Sequence, residues 1–217
     1  MIGPLLNSHP LIDLSATGVA PDLDFVIQAV ASGQDLNEQN PDGAMMTALH
    51  FAVISENAEI LQYLLDSGAH PDVPDEGGLT PLHHAIVRGN LDATRRLVNA
   101  GADVNYLGGG ERPLRRASSA VDWSVATVAF LVRKGATVNP EDPEEATALD
   151  LALQMGHVAS AAFLLLYAAE RRSNGGGFGG DSGSEDGDMY AEEFAKAQEL
   201  ADRVREFVCP FLILELF

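Results

Sequence analysis

Cysteine, aromatic residues and long hydrophobic runs are all scarce in this 217-residue chain, and each shortage narrows the kinds of protein it can be. Cys209 is the only cysteine. No disulfide can therefore form within the chain, and we expect a reducing compartment, the cytoplasm or the nucleus. The longest apolar run, residues 158–169, is too short to span a bilayer. The first residues, MIGPLLNSHPLIDL, lack a basic leader, so we expect no signal peptide.

Basic residues are also few: the chain has 13 Lys and Arg against 32 Asp and Glu, a formal net charge of −19. This balance argues against binding to nucleic acid, which needs clustered cations, and against anionic membrane surfaces. The first basic residue in the chain is Arg88. The 87 residues before it carry twelve acids and no Lys or Arg, so a partner that docks there should be basic.

What the chain does contain is a repeat. Four similar hexapeptides recur: TALHFA from Thr47, TPLHHA from Thr80, RPLRRA from Arg112 and TALDLA from Thr147. A glycine closes each unit, at Gly33, Gly68, Gly101 and Gly135, with spacings of 35, 33 and 34 residues. So regular a period indicates a stack of similar supersecondary units.

The sequence resembles the ankyrin repeat family. The unit with the strongest likeness, residues 75–105, matches the family pattern at Gly78, Thr80-Pro81-Leu82-His83, Ala85, Gly89, Leu97 and Gly101-Ala102-Asp103-Val104-Asn105. The resemblance implies an all-α solenoid of helix-turn-helix pairs with projecting turns, built from about five units. We place these units at about 9–37, 38–72, 73–105, 106–139 and 140–168, which makes residues 1–172 the repeat array.

Two adjacent histidines, His83 and His84, raise the question of a metal or catalytic site. His83 occupies the TPLH histidine of the family, and His50 is its counterpart one repeat earlier, so the resemblance implies that both tie a turn to its neighbour by hydrogen bonds. Adjacent helical residues point in different directions, so His83 and His84 cannot readily share one ion. We therefore expect no metal ligands, no cofactor and no catalytic residues, and we expect a protein that is not an enzyme.

Two short motifs remain in the fourth unit. Arg115-Arg116-Ala117-Ser118 is similar to a basophilic kinase substrate, but it lies at the start of a predicted helix, which favours a structural role for Ser118. Trp123 lies in a turn that is longer than the family pattern. It either packs onto the repeats or anchors a partner, as interface tryptophans do.

After Arg172 the composition changes. Residues 173–188 are rich in Gly, Ser and Asp and predict a flexible acidic linker, in which Ser182 is similar to an acidophilic kinase site. Residues 189–217 predict an amphipathic helix followed by an apolar tail. This tail could cap the last repeat, which is unusually apolar, or bind a partner, or show that the chain is a fragment of a longer protein.

The function that we predict is non-enzymatic protein binding, as an adaptor or scaffold, through the concave face of the stacked repeats. The alternative is an inhibitory regulator that covers a basic segment of an enzyme or transcription factor. We expect a monomer that binds another protein. The variable positions that the resemblance implies as candidate contacts, with Trp123 added from its turn, are Glu56, Asn57, Glu76, Gly77, Leu79, Val87, Arg88, Ser119, Ala120, Trp123, Gln154 and Met155.

Overall fold

A computed structural model describes residues 23–41, 43–119, 124–138 and 147–173 of the protein. The chain divides into two compact units, Met1–Pro113 and Leu114–Phe217. Several predicted features lie outside the described residues: the start of the first repeat, Ala120, Trp123, and everything after Ser173, which includes almost all of the linker and the whole C-terminal segment.

Within the described part of the first unit, the chain is helical apart from turns and two isolated β-bridges. Its helices are α1 (Leu23–Ala31), α2 (Ala48–Ile54), α3 (Ala58–Asp66), α4 (Pro81–Val87) and α5 (Leu91–Asn99). The described parts of the predicted units 38–72 and 73–105 therefore each contain a short helix followed by a slightly longer one.

The helices of the first unit form two layers. The helices that open the repeats, α2 and α4, pack against each other, and the second helices α1, α3 and α5 pack in sequence behind them. Leucines at helical spacing fill the space between the layers and are almost completely buried, as expected for a stripe that faces a core: Leu49, Leu61, Leu64, Leu82 and Leu97. The all-α repeat solenoid implied by the sequence is thus present.

Local sequence sets the helix ends. Thr80 precedes α4 as its N-cap, and Pro81 takes the first helical position, where its missing N–H would have no partner in any case. Asn90 caps α5 by accepting a hydrogen bond from the Ala93 N–H at 2.9 Å. Gly101 follows α5 with a φ of +98°, the left-handed conformation that glycine commonly adopts after the end of a helix.

In the second unit the described helices are α6 (Pro113–Ser119, whose first residue belongs to the first unit), α7 (Ser124–Arg133), α8 (Ala148–Gln154) and α9 (Val158–Ser173). Helix α9 packs against both α7 and α8. Leu114, Leu131 and Leu164 are buried, whereas Leu165 is half exposed. No helix among the described residues is long and apolar enough to cross a membrane.

Candidate interaction surface and histidine cluster

The turn of residues 75–79, which opens the third repeat, is closed by its own backbone and one carboxylate. The Asp75 N–H donates to the Leu79 carbonyl, and the Leu79 N–H donates to Asp75 Oδ1, both at 2.8 Å. Gly78 has a φ of +76°, a conformation that side chains disfavour. The turn is therefore closed by hydrogen bonds within it, and the Glu76 N–H also donates to the Ala44 carbonyl of the preceding repeat at 2.9 Å.

His50 connects this turn to the preceding repeat. Its Nε2 lies 3.0 Å from the Leu79 carbonyl, and since a carbonyl only accepts, Nε2 carries the proton. Its Nδ1 then accepts from the hydroxyl of Thr47 at 2.9 Å and from the Thr47 N–H at 3.1 Å. Burial lowers the pKa of His50 to about 4, so the ring is neutral at pH 7.

His83 repeats this arrangement one unit later. Its Nδ1 contacts the hydroxyl of Thr80 at 2.9 Å and the Thr80 N–H at 3.3 Å, and its Nε2 lies 3.2 Å from the Glu111 carbonyl. The prediction that both histidines tie a turn to its neighbour is confirmed. Because each side chain is fully buried, these hydrogen bonds are made without competition from water.

The glycines of the next turn are required by this contact. A Cβ on Gly108 would lie 2.7 Å from the His83 ring and 2.7 Å from the Gly78 carbonyl oxygen. The turn itself is closed by mutual hydrogen bonds of 3.0 Å between Gly108 and Glu111. The absence of a side chain at Gly108 therefore allows this turn to pack closely against the His83 ring and the Gly78 carbonyl.

His84 points elsewhere. Its Nε2 lies 2.7 Å from Asp75 Oδ2, and its ring is nearly perpendicular to the ring of His50, with centroids 5.4 Å apart. Partial burial raises the pKa of Asp75, but the hydrogen bonds from His84 and Leu79 outweigh that effect and lower the pKa overall. One ligand atom from each of His50, Asp75 and His84 lies within 4.8 Å of the other two. These three residues are called the histidine cluster below.

The prediction from sequence did not include this cluster. It compared His83 with its neighbour His84 and separated the two correctly, since their Nε2 atoms contact different partners, the Glu111 carbonyl and Asp75. Asp75 opens the same repeat nine residues before His84, and only the fold of the turn brings the two together.

The two-layer helix pairs and the Thr-His hydrogen bonds are the architecture that the family resemblance implied. Residues 15–107 match the model of the ankyrin repeat family in three copies. This segment of the chain consists of ankyrin repeats. Ankyrin repeats generally mediate contacts between proteins and are typically not catalytic. A comparison with curated proteins found no match to the chain.

The predicted contact residues of these ankyrin repeats lie at both ends of the opening helices. Glu76 and Gly77 are exposed at the tip of the turn, and Leu79 is half-buried beside them. Val87, 56% exposed, and Arg88 lie at the other end of α4, about 10 Å away along a helix of seven residues.

The corresponding end of α2 carries Glu56 and Asn57. Glu56 is exposed and has a φ of +55°, which places it in a tight turn between α2 and α3. Asn57 has a local partner, because its Oδ1 accepts from the Ile60 N–H at 3.0 Å and so caps α3. Asn57 therefore has a structural role as the cap of α3, and Glu56 is the better candidate for a contact with a partner.

In the second unit, Gln154 and Met155 are exposed at the end of α8, with Met155 50% exposed. Ser119 is half-buried, and its hydroxyl donates to the Arg116 carbonyl. Ala120 and Trp123 lie outside the described residues. Ser118 is fully buried, and its hydroxyl donates to the Leu114 carbonyl at 3.0 Å, which favours the structural interpretation of the kinase-like motif.

The charge of the first unit is one-sided up to Arg88. Several of its acidic residues are exposed to solvent: Asp24, Asp35, Glu56, Glu59, Asp66 and Glu76. No Lys or Arg precedes Arg88 in the chain. The surface of these repeats consequently attracts cations and repels anions, with a range set by the ionic strength.

Proposed function

We propose that this protein binds another protein through the opening helices α2 and α4 of its ankyrin repeats and the turn of residues 75–79. The observation that carries the proposal is that exposed carboxylates and an exposed apolar side chain, Val87, occur together on a rigid hydrogen-bonded frame. A fixed surface binds at a lower entropic cost than one that must be ordered on binding.

The partner that suits this surface has a basic segment with some apolar character. Glu56, which follows α2 in the second repeat, and Glu76, in the turn that opens the third, supply negative charge, and the chain has no Lys or Arg before Arg88 to oppose them. Complementary charge of this kind chiefly speeds association and selects among partners. Val87, which is 56% exposed at the end of α4, supplies an apolar contact for such a segment.

A second candidate function follows from the same charge. If this chain covers a basic segment that an enzyme or transcription factor needs for its activity, it acts as an inhibitor of that protein and not as an adaptor. The adaptor and the inhibitor share one surface, so surface variants alone do not separate them. The activity of the captured partner, measured with and without this chain, does.

The test uses the full chain as bait and then the purified partner. The association rate is measured at about 0.05 M and 0.5 M salt, where the screening length is about 14 Å and 4 Å. We expect slower association at high salt. An equal or faster rate at high salt contradicts the basic partner.

Two variants locate the contact. The double variant Glu56→Lys, Glu76→Lys reverses two charges on the proposed surface and should slow association by at least about tenfold. Asp66→Lys reverses one exposed charge in the last turn of α3, in the other layer of helices, and serves as the control. A partner that responds to Asp66→Lys but not to the double variant binds elsewhere.

A further inference from the structure

We propose that His50, Asp75 and His84 bind one divalent transition-metal ion of the zinc type at the junction of the second and third ankyrin repeats. This inference is independent of the proposed protein partner. It departs from the sequence-based expectation of no metal ligands, which considered the pair His83–His84 and not the histidine cluster.

The geometry comes from three separate parts of the first unit. His50 lies in α2, Asp75 in the turn and His84 in α4, and each offers one ligand atom within 4.8 Å of the others. In a tetrahedral site with metal–ligand distances of about 2.0–2.2 Å, ligand atoms lie about 3.3 Å apart. His84 Nε2 and Asp75 Oδ2 are already closer than that, at 2.7 Å, so an ion replaces their hydrogen bond.

The cluster can release His50 Nε2 without leaving its partner unsatisfied. The Leu79 carbonyl that accepts from Nε2 also accepts from the Asp75 N–H at 2.8 Å, and it keeps that bond. With its proton moved to Nδ1, the ring of His50 can donate to the hydroxyl of Thr47, 2.9 Å away, while the Thr47 N–H gives up its 3.1 Å bond to Nδ1, a cost that binding of the ion must exceed. Hydrogen bonds of this kind commonly orient a histidine that binds a metal.

The carboxylate is oriented in the same way. Asp75 Oδ1 accepts from the Leu79 N–H at 2.8 Å, which fixes the carboxyl group and directs Oδ2 at His84. The side chain of Asp75 is 6% exposed and that of His84 is 18% exposed, so an ion can enter from the side of His84.

The donor set decides which ion is expected. Two imidazole nitrogens and one carboxylate oxygen suit zinc and similar ions, whereas magnesium and calcium prefer oxygen ligands alone. A water molecule or a partner side chain would supply the fourth ligand.

The repeats on either side of this junction show why the cluster is particular to it. Phe51 follows His50 as His84 follows His83, so the preceding repeat has an apolar ring where this one has a ligand. At the next junction His83 contacts the Glu111 carbonyl and the ring of Tyr106. A histidine at position 84 thus places a second imidazole beside the turn residue Asp75.

The experiment measures zinc binding to the full chain by calorimetry and by thermal unfolding. All proteins carry Cys209→Ser, which removes the thiol as a ligand. We expect one zinc ion per chain and a higher melting temperature, because an ion that binds only the folded state stabilises it. Magnesium should give neither effect.

The variant His84→Gln removes a ligand, and its amide can still donate to Asp75. It should weaken zinc binding by at least about tenfold and abolish the thermal shift. His70→Gln changes an exposed histidine near the end of the second repeat and should bind zinc as the parent does. Circular dichroism checks that each variant is folded. The proposal is wrong if the parent binds no zinc, or if His84→Gln binds it as tightly as the parent does.

Discussion

The helices that open two repeats, α4 in the first unit and α8 in the second, begin in the same way and differ in what they reach. Thr80 and His83 surround the start of α4, and Thr147 and Asp150 surround the start of α8. In both, the residue three positions after the threonine contacts the threonine N–H and hydroxyl. His83 has a second nitrogen that reaches the Glu111 carbonyl, 28 residues away along the chain.

Within the part of the chain that the structure describes, the side chain of Asp150 makes its hydrogen bonds only to Thr147, three residues earlier in the chain. Its Oδ2 accepts from the Thr147 N–H at 3.0 Å and from the Thr147 hydroxyl at 2.7 Å, and its own N–H donates back to that hydroxyl. His83 is completely buried, whereas Asp150 is exposed. The threonine and the residue three positions after it therefore form a local motif that can serve two purposes. It starts a helix with either residue, and it joins repeats only with a ring that has two hydrogen-bonding ends.

The largest expected effect on stability comes from removing the His83 ring, whose Nε2 contacts the Glu111 carbonyl of the next turn. His83→Ala leaves the Thr80 N–H and the Glu111 carbonyl without this partner, and it should lower the free energy of unfolding by about 1–3 kcal/mol. Urea unfolding of the full chain measures it. His70→Ala, at an exposed position, is the control and should change little. If His83→Ala lowers the free energy of unfolding no more than His70→Ala does, the hydrogen bonds of His83 do not stabilise the contact between repeats.

A smaller effect on stability is expected at another hydrogen bond between repeats. It occurs at two equivalent places, where the acceptor is neutral Asn37 in one and the carboxylate of Asp72 in the other. Asn37 Oδ1 accepts from the His70 N–H at 2.7 Å, and Asp72 accepts from the Asp103 N–H at 2.9 Å. Asn37 and Asp72 occupy equivalent places, four residues after Gly33 and Gly68. Burial raises the pKa of Asp72, and the charge of Asp103 adds to that, more than the Asp103 N–H lowers it.

Because the folded pKa of Asp72 lies above its ordinary value, its ionised form is less stable in the folded chain than in the unfolded one. The resulting penalty is fully present at pH 7 and disappears as the carboxyl group is protonated in acid. Asp72→Asn keeps the acceptor and should raise the free energy of unfolding at pH 7 by about 0.5 kcal/mol, since water screens part of the charge.

The reverse substitution, Asn37→Asp, is the matched control for Asp72→Asn. It introduces a partly buried carboxylate and should lower the free energy of unfolding at pH 7 in the same urea experiment. If both substitutions change stability in the same direction, the charge is not what distinguishes the two positions.

The smallest expected effect is at Asp150. The hydrogen bonds from the Thr147 side chain and backbone lower the pKa of Asp150 below its ordinary value. Its contribution to stability is therefore present above the ordinary value and is lost as the pH falls through the lowered one. Asp150→Asn should reduce stability slightly at pH 7 and should differ from the parent less at about pH 3. Melting curves by circular dichroism at both pH values test this, and a difference that grows in acid contradicts it.

Much of the first unit could be predicted because its signals are local. The 33- to 35-residue spacing of glycines located the repeats, and Thr80, Pro81 and Gly101 located the ends of helices. The division of the whole chain into five units, a linker and a C-terminal segment stays a prediction. So does the list of contact residues, within which the structure gave Asn57 a local role as a cap.

The sequence by itself determined where helices start, where the chain takes a left-handed turn and which face of each helix is apolar, because these depend on residues within about four positions of one another. Only the tertiary structure decided that His84 meets Asp75 and lies beside His50. It also decided that Ser118 is fully buried, with its hydroxyl donating to the Leu114 carbonyl. These facts depend on how the turn folds back over the helix and on how neighbouring helices pack, and no period in the sequence encodes the distance between two side chains on different elements.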